Sequence, residues 1–362
     1  MLFFKKYIII ISSSFCASNS KNNVFFGWCM IKILFPKDTK QELILHSSEI
    51  FKEKNIPFYV QHETENIVVF APEGKEIIQS LTNAVQIQEF FLPYPLVSRK
   101  FHPEDSVVSL GNVSFQKDVF TLIAGPCSIE NKAMISDTAR FLSGLGIRIL
   151  RAGTYKCRTS PYSFQGNEHS LEYLQEVAEQ FSMKTVTEVL GEDLVEETAK
   201  VADMLQIGSR NSQNVRLLQK AGMQKKPVLL KRGFMNTMEE FFLSAEYIAL
   251  TGNTNIVLCE RGIRTFENAT RNTLDIAAIP VAKKETHLPI IIDPSHAAGR
   301  RDIIPALVKA GMAAGAQGAI IEVHPDPEHA LSDGKQSLNF QEFERLLTEI
   351  RILGQAMNIQ VT

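Results

Sequence analysis

Cys127, His296, Glu322 and Asp333 offer one thiol, one imidazole and two carboxylates, widely separated in a chain of 362 residues. Brought together, such a mixed sulfur, nitrogen and oxygen set suits a borderline divalent transition metal and does not suit magnesium or calcium. An ion of that kind with an open position acts as a Lewis acid on a carbonyl. A second set is cationic: Arg151, Lys156, Arg158, Arg210, Lys231, Arg232 and Arg261. Gathered in one place these side chains would repel one another, so the arrangement makes sense only with anions between them. Arg gives planar paired donors for carboxylate and phosphate, and Lys gives a compact point charge. Together the two sets read as a site for multiply anionic, phosphorylated small molecules. Taken singly, each residue has an ordinary alternative: Cys127 as a small core residue, His296 as a hydrogen-bonded histidine, each cation as a solvated surface charge. No local motif such as C-x-x-C announces the metal set, so the reading depends on the elements that carry it.

Those elements read as a barrel. Beyond Val107, apolar runs at 119–124, 148–151, 184–187, 204–207, 227–231, 255–259, 289–292 and 318–321 alternate with helical patterns such as 192–202, 238–250 and 303–314. About eight β-α units over about 250 residues is the size and rhythm of a (β/α)8 TIM barrel. A doubly wound open sheet would show a glycine-rich fingerprint after its first strand, and Gly125-Pro126-Cys127 does not supply one. Barrel chemistry gathers beyond the C-terminal ends of the strands. Cys127 follows the first predicted strand, Arg151, Lys156 and Arg158 the second, Glu188 the third and Arg210 the fourth. Lys231 and Arg232 end the fifth, Glu260 and Arg261 the sixth; Asp293 and His296 follow the seventh, Glu322 and His324 the eighth, with Asp333 in the loop beyond. The first, seventh and eighth strands are neighbours once a barrel closes.

Ahead of the barrel, residues 30–92 predict the order β-α-β-β-α-β of a ferredoxin-like α+β domain. Its strands are expected at 30–35, 57–61, 67–70 and 85–91, and its helices at 40–54 and 75–81. With no convergent catalytic set, this domain reads as regulatory. Pro93, Pro95 and Pro103 predict a stiff, exposed linker over 93–106, a hairpin is expected at 107–115 around Gly111-Asn112, and 107–362 forms the catalytic domain. Residues 1–29 begin with Lys5 and Lys6, then the apolar run 7–11 and small residues, which reads as a secretory leader or as an extension before a true start at Met30; the second reading is preferred.

Composition excludes other classes. With 44% hydrophobic and 22% charged residues the chain is neither disordered nor collagenous. A net charge of −2 argues against a broadly basic nucleic-acid surface, and the longest apolar run is too short for a bilayer span. Five scattered cysteines suit a reducing cytoplasm better than a disulfide framework.

The motifs Ala124-Gly125-Pro126-Cys127-Ser128, Lys156-Cys157-Arg158-Thr159-Ser160, Gly208-Ser209-Arg210-Asn211, Leu230-Lys231-Arg232-Gly233, Cys259-Glu260-Arg261-Gly262 and Ile292-Asp293-Pro294-Ser295-His296, in this order, resemble the 3-deoxy-D-arabino-heptulosonate 7-phosphate (DAHP) synthases. The likeness is to the subtype with an N-terminal ferredoxin-like domain. It implies condensation of phosphoenolpyruvate with erythrose 4-phosphate, entry to aromatic amino acid synthesis, a divalent metal (Mn2+, Co2+, Zn2+ or Fe2+), a homotetramer, and control by tyrosine or phenylalanine through the N-terminal domain. By the same resemblance Cys127, His296, Glu322 and Asp333 hold the metal. Arg151, Lys156, Arg210, Lys231 and Arg261 take phosphoenolpyruvate, and Arg158, Thr159 and Ser160 the aldose phosphate. Glu188 and Asp293 complete the substrate site, and Lys156, with Arg151 beside it, is the expected proton carrier. Cys157 departs from the pattern, standing where the family has proline, which frees φ and restores a donor N–H. Two rivals remain at this point: 3-deoxy-octulosonate 8-phosphate synthase, with arabinose 5-phosphate as aldose, and a non-catalytic metabolite sensor.

Overall fold

The computed structural model describes residues 28–36, 49, 59–62, 66–71, 86–155, 162, 164–166 and 169–362. They divide into two units, the first of residues up to Pro95 with Leu250–Gly252, the second of Leu96–Ala249 and Asn253–Thr362.

In the first unit, β1 (Trp28–Pro36), β2 (Tyr59–His62), β3 (Asn66–Ala71) and β4 (Gln86–Leu92) form one antiparallel sheet in the order β2-β3-β1-β4. This is the strand order that a β-α-β-β-α-β chain gives when it folds as a ferredoxin-like unit. Ile33 and Phe35, two residues apart and therefore on one face, are fully buried. β1 starts at Trp28, ahead of the expected Met30, because its ladder to β4 continues through Cys29↔Phe91 to Trp28↔Leu92. The helix expected at 40–54 is represented by Glu49 alone, and that at 75–81 lies outside the described residues.

The second unit opens with a strap that the sequence misleads about. Residues 96–106 are an exposed linker only in part: Val97, Ser98 and Phe101 are buried, while Lys100, Pro103 and Glu104 are exposed. Leu96, Val97 and Phe101 supply apolar side chains, and prolines that stiffen a linker stiffen a packed strap equally well. The hairpin follows as expected, β5 (Val108–Leu110) against β6 (Val113–Phe115), with Gly111 at φ 61° in the turn.

Eight parallel strands then close on themselves: β7 (Val119–Gly125), β8 (Ile149–Arg151), β9 (Lys184–Glu188), β10 (Met204–Ile207), β11 (Val228–Lys231), β12 (Ile256–Glu260), β13 (Ile290–Ile292) and β14 (Gly318–Glu322). The last pairs with the first from Gly318↔Thr121 to Glu322↔Gly125. The described helices are α1 (Lys132–Gly144), α2 (Ser170–Gln180), α3 (Val195–Val201), α4 (Val215–Met223), α5 (Met238–Ala249), α6 (Ala278–Glu285), α7 (Pro294–Ala298), α8 (Ile304–Ala313) and α9 (Phe340–Met357). This is the TIM barrel the alternation predicts. Ile123, Ile149, Val186, Met204, Leu229, Val257, Cys259, Ile291 and Ile320 fill its interior, and Val108, Leu110, Val113 and Phe115 of the hairpin join the same cluster. The hairpin thus closes the N-terminal end of the barrel with four apolar side chains, each worth about 1.5–3 kcal/mol on full burial. The opposite end is left for chemistry.

Candidate active site and metal centre

The four predicted ligands converge. Cys127 lies just past β7, His296 in the short helix α7 after β13, Glu322 at the last position of β14, and Asp333 in the loop that follows. One donor atom from each falls within 4.8 Å of the other three. Cys127 Sγ donates to Asp333 Oδ2 at 3.0 Å, and His296 Nε2 is 3.1 Å from Glu322 Oε1 and 4.0 Å from Asp333 Oδ2. A thiol, an imidazole nitrogen and two carboxylates so close, three of the four residues buried, repel once ionised unless a cation sits among them. The donor set therefore fits a divalent transition ion.

Surrounding groups aim these donors. Asp293 caps α7 by accepting from the His296 amide at 3.0 Å, and its carboxylate lies 2.8 Å from His296 Nδ1. With Nδ1–H donated to Asp293, the Nε2 lone pair faces the cluster. Glu322 is held by Gln336 Nε2, donating to its Oε2 at 2.6 Å, and by Arg151 Nη1, donating to its Oε1 at 3.1 Å. Its backbone N–H donates to Ser295 Oγ at 3.0 Å. Asp333 takes a left-handed backbone, φ 51°, and lies 3.7 Å from Arg271.

The cations form a second layer. Arg151 is buried, and its Nε donates to Gln206 Oε1 at 3.2 Å; Gln206 Nε2 in turn donates to Glu188 Oε2 at 3.0 Å. Lys231 Nζ donates to Asp293 Oδ2 at 2.5 Å. Burial alone would push the Asp293 carboxyl up, but His296 and Lys231, with Arg261 further off, hold it well below the usual carboxylate range. Arg261 donates to Asn272 Oδ1 at 2.8 Å and to the His296 carbonyl at 3.4 Å; burial lowers its pKa. Arg210 and Arg261 both stand over the Phe234 ring. Two glycines are needed for these approaches. A Cβ on Gly125, at φ 148°, would run into the Arg151 carbonyl, and one on Gly208 would collide with the Glu188 carboxylate.

Cys127, Arg151, Asp293, His296, Glu322, Asp333, Lys231 and Arg261 are thus linked by direct contacts, with Glu188 joined through Gln206. Lys156, Cys157, Arg158, Thr159 and Ser160 lie outside the described residues. Arg232 does not join the set: its Nη1 bonds Glu260 and Asp275, each at 2.9 Å, so carboxylates of the chain itself neutralise it. Burial raises the Glu260 carboxyl above its ordinary value, an effect that Arg232 only partly offsets. His324 also turns away, with Nε2 3.3 Å from Glu130. Sequence reading missed Gln206, Gln336, Asn272 and Phe234. A signal existed for Gln206, a polar residue inside the otherwise apolar strand Met204–Ile207.

The family model of the "DAHP synthetase I family" matches residues 105–357. This chain belongs to that family. The DAHP synthetase I barrel accounts for β5 to α9, and a longer similarity takes in the N-terminal unit. A phospho-2-dehydro-3-deoxyheptonate aldolase of Thermotoga maritima is 52% identical over 338 residues, 92% of this chain and 100% of the relative. A 2-dehydro-3-deoxyphosphooctonate aldolase of Methylococcus capsulatus is 31% identical over 256 residues, 65% of this chain and 89% of the relative. The crystal structure of the Thermotoga DAHP synthase superposes with a TM-score of 0.74, covering 92% of this chain and 99% of that one. A truncated form of the Thermotoga 3-deoxy-D-arabino-heptulosonate 7-phosphate synthase is 58% identical, with a TM-score of 0.71 over 74% of this chain and 99% of that one. Among the described residues no helix is long and apolar enough to cross a membrane.

Proposed function

We propose that this member of the DAHP synthetase I family is a metal-dependent, cytoplasmic 3-deoxy-7-phosphoheptulonate synthase that condenses phosphoenolpyruvate with erythrose 4-phosphate. The observation that carries the reading is the pairing of two sites through shared residues: Arg151 touches Glu322, and Lys231 shares Asp293 with His296. A metal-type cluster and a cation layer are locked into one constellation, as a reaction between a carbonyl and a doubly anionic partner requires.

An ion held by Cys127, His296, Glu322 and Asp333 would supply Lewis acidity toward the aldehyde oxygen of erythrose 4-phosphate. Arg151, Arg210, Lys231 and Arg261 would take the phosphate and carboxylate of phosphoenolpyruvate, with Glu188 and Asp293 fixing Arg151 and Lys231. Their work is to hold two mutually repelling anions at reacting distance, which converts a bimolecular encounter into an oriented one. Arg158, Thr159 and Ser160 would receive the aldose phosphate. C3 of phosphoenolpyruvate then bonds to C1 of the aldose, water adds at C2, and phosphate leaves by C–O cleavage. Lys156, flanked by Arg151 and Arg158, is the proposed proton carrier. A homotetramer and inhibition by tyrosine or phenylalanine through the N-terminal unit belong to the same reading.

The 52% identity to a heptonate enzyme against 31% to an octonate enzyme favours the four-carbon aldose. The deciding experiment is phosphate release from phosphoenolpyruvate with each aldose in turn, before and after chelation. Release with erythrose 4-phosphate, abolished by chelator and restored by Mn2+, Co2+, Zn2+ or Fe2+, is expected. Preference for arabinose 5-phosphate would replace the reading with the octulosonate one, and no release with either would make the chain a sensor.

A further inference from the structure

Three arginines at the mouth share one aromatic ring. Phe234 lies in the loop after β11, with its ring centroid 4.6 Å from the guanidinium carbon of Arg261, 5.4 Å from that of Arg264 and 5.6 Å from that of Arg210. The backbone that carries the ring is pinned. The Phe234 carbonyl accepts the Arg264 N–H at 2.9 Å. Gly233 leaves no room for a Cβ against Asn236 and Ser212, and Arg232 Nε donates to the Asn236 carbonyl at 3.0 Å, closing the turn from below. Three like charges within reach of one another repel, and the electron-rich face of an aromatic ring attracts each of them. Arg261 is buried, where that attraction is strongest. A saturated side chain of similar size would fill the space and leave the repulsion.

We propose that Phe234 is a positioning residue for phosphoenolpyruvate: its ring sets the spacing of Arg210 and Arg261, so that both guanidinium groups meet one anion. This rests on the synthase reading, under which those two arginines hold that substrate.

The test is steady-state kinetics on the full-length, metal-loaded enzyme, comparing Phe234→Leu and Phe234→Met with Phe234→Tyr and Phe234→Trp, each with its melting temperature. Loss of the ring should raise KM for phosphoenolpyruvate about tenfold, with kcat within about twofold and KM for erythrose 4-phosphate unchanged. The Tyr and Trp variants should stay within about twofold of the parent. A ring that only filled the loop would move melting temperature and kcat together and would not separate Met from Tyr. An unchanged KM in a folded Leu or Met variant overturns the proposal, as does a Tyr variant that fails with them. Failure of both Leu and Met variants to fold overturns it too, since the ring would then be a structural necessity. If the unmutated enzyme releases no phosphate, the synthase reading falls instead.

Discussion

The two ends of the barrel bury polar and charged groups in opposite ways. At the mouth, charges are paired with charges, Lys231 with Asp293 and Arg151 with Glu322, and four donor atoms are left pointing at a common centre. At the underside, polar groups are turned onto the backbone of the strap. The Glu246 carboxylate accepts the N–H groups of Leu96 and Val97 at 2.9 and 3.1 Å. Thr286 Oγ1 donates to the Val97 carbonyl, and His287 Nε2 donates to that of Leu96 at 2.9 Å. Glu246 meets no cation in these contacts, and burial pushes its carboxyl up to about 8. The mouth is built to be completed by something else, whereas the underside completes itself. Substitutions at the mouth should therefore change function with little loss of fold, and substitutions at the underside the reverse.

The largest effect should come from the metal-type cluster. Cys127→Ala and His296→Ala are expected to lower phosphate release by more than about a hundredfold, since each removes one of the four proposed ligands. Both should keep the circular dichroism and, within a few degrees, the melting temperature of the parent. Full activity in either variant would remove that residue from the ligand set, and a collapsed fold would erase the contrast between the two ends.

Most of the mouth was legible because strand ends are marked by residue type. An apolar run followed by Arg, Lys, Glu or His announces both the strand and the group it carries, as at Arg151, Lys231, His296 and Glu322, whereas Cys127 and Asp333 joined the set only because a closed barrel makes the first, seventh and eighth strands neighbours. The underside was not legible, and the reason is distance along the chain. Glu246 meets Leu96 across 150 positions, and nothing near either residue in sequence hints at the other. Pro93, Pro95 and Pro103, clustered in sequence just before and within the strap, carry only the signal of a linker. The same blindness put Arg232 among the converging cations, since its neutralising partner Asp275 lies 43 residues further on.

The strap sharpens the comparison through truncation. A chain starting at Tyr94 should keep synthase turnover and lose inhibition by tyrosine or phenylalanine, having shed only the N-terminal unit. A chain starting at Phe101, the cut that a linker reading suggests, also removes both N–H donors to Glu246 and the buried Val97 side chain. Those losses amount to about 5 kcal/mol, or about 10 °C or more in melting temperature for a barrel of this size. Equal melting temperatures for the two chains would mean that the strap does not stabilise the barrel. Undiminished inhibition in the shorter chains would remove the regulatory role from residues before Tyr94.

A smaller effect should appear as pH falls. His287 is buried, and burial, with His102 stacked at 4.3 Å and Arg99 nearby, lowers its pKa from 6.5 to about 4. The neutral ring is the one the strap needs, because Nδ1 accepts from Ser106 Oγ at 2.7 Å while Nε2 donates to Leu96. A folded pKa below the unfolded value gives stability that is complete above about pH 6.5 and lost as pH falls towards 4. At about 1.4 kcal/mol per pH unit this is about 3 kcal/mol. Glu246 runs the other way, its raised carboxyl favouring the fold at lower pH, so the measurement must be a difference. The melting-temperature gap between the parent and His287→Gln should be widest at pH 7.5 and should close by about pH 4. A gap constant over that range would show that the imidazole does not gate strap docking.

The smallest effect returns to the mouth and tests whether its donors are aimed by neighbours as well as by the strands. Gln336 Nε2 donates to Glu322 Oε2 at 2.6 Å, and Gln336 Oε1 accepts from Arg271 Nη1 at 3.2 Å. Arg271 also lies 3.7 Å from Asp333. The carboxylates of two proposed ligands from different segments are thus tied together by one amide and one guanidinium. Removing such an outer partner leaves every ligand in place but lets the carboxylate rotate, which typically costs about 10–100-fold in metal affinity. Gln336→Leu should therefore need more Mn2+ for half-maximal activity and surrender its ion sooner to a colorimetric chelator. Its kcat at saturating metal should stay close to that of the parent. Arg271→Gln should show a weaker version, because that side chain is 37% exposed and water can replace part of its contact. If Gln336→Leu binds metal as tightly as the parent, the carboxylates are fixed by the backbone alone, and the mouth is as self-sufficient as the underside.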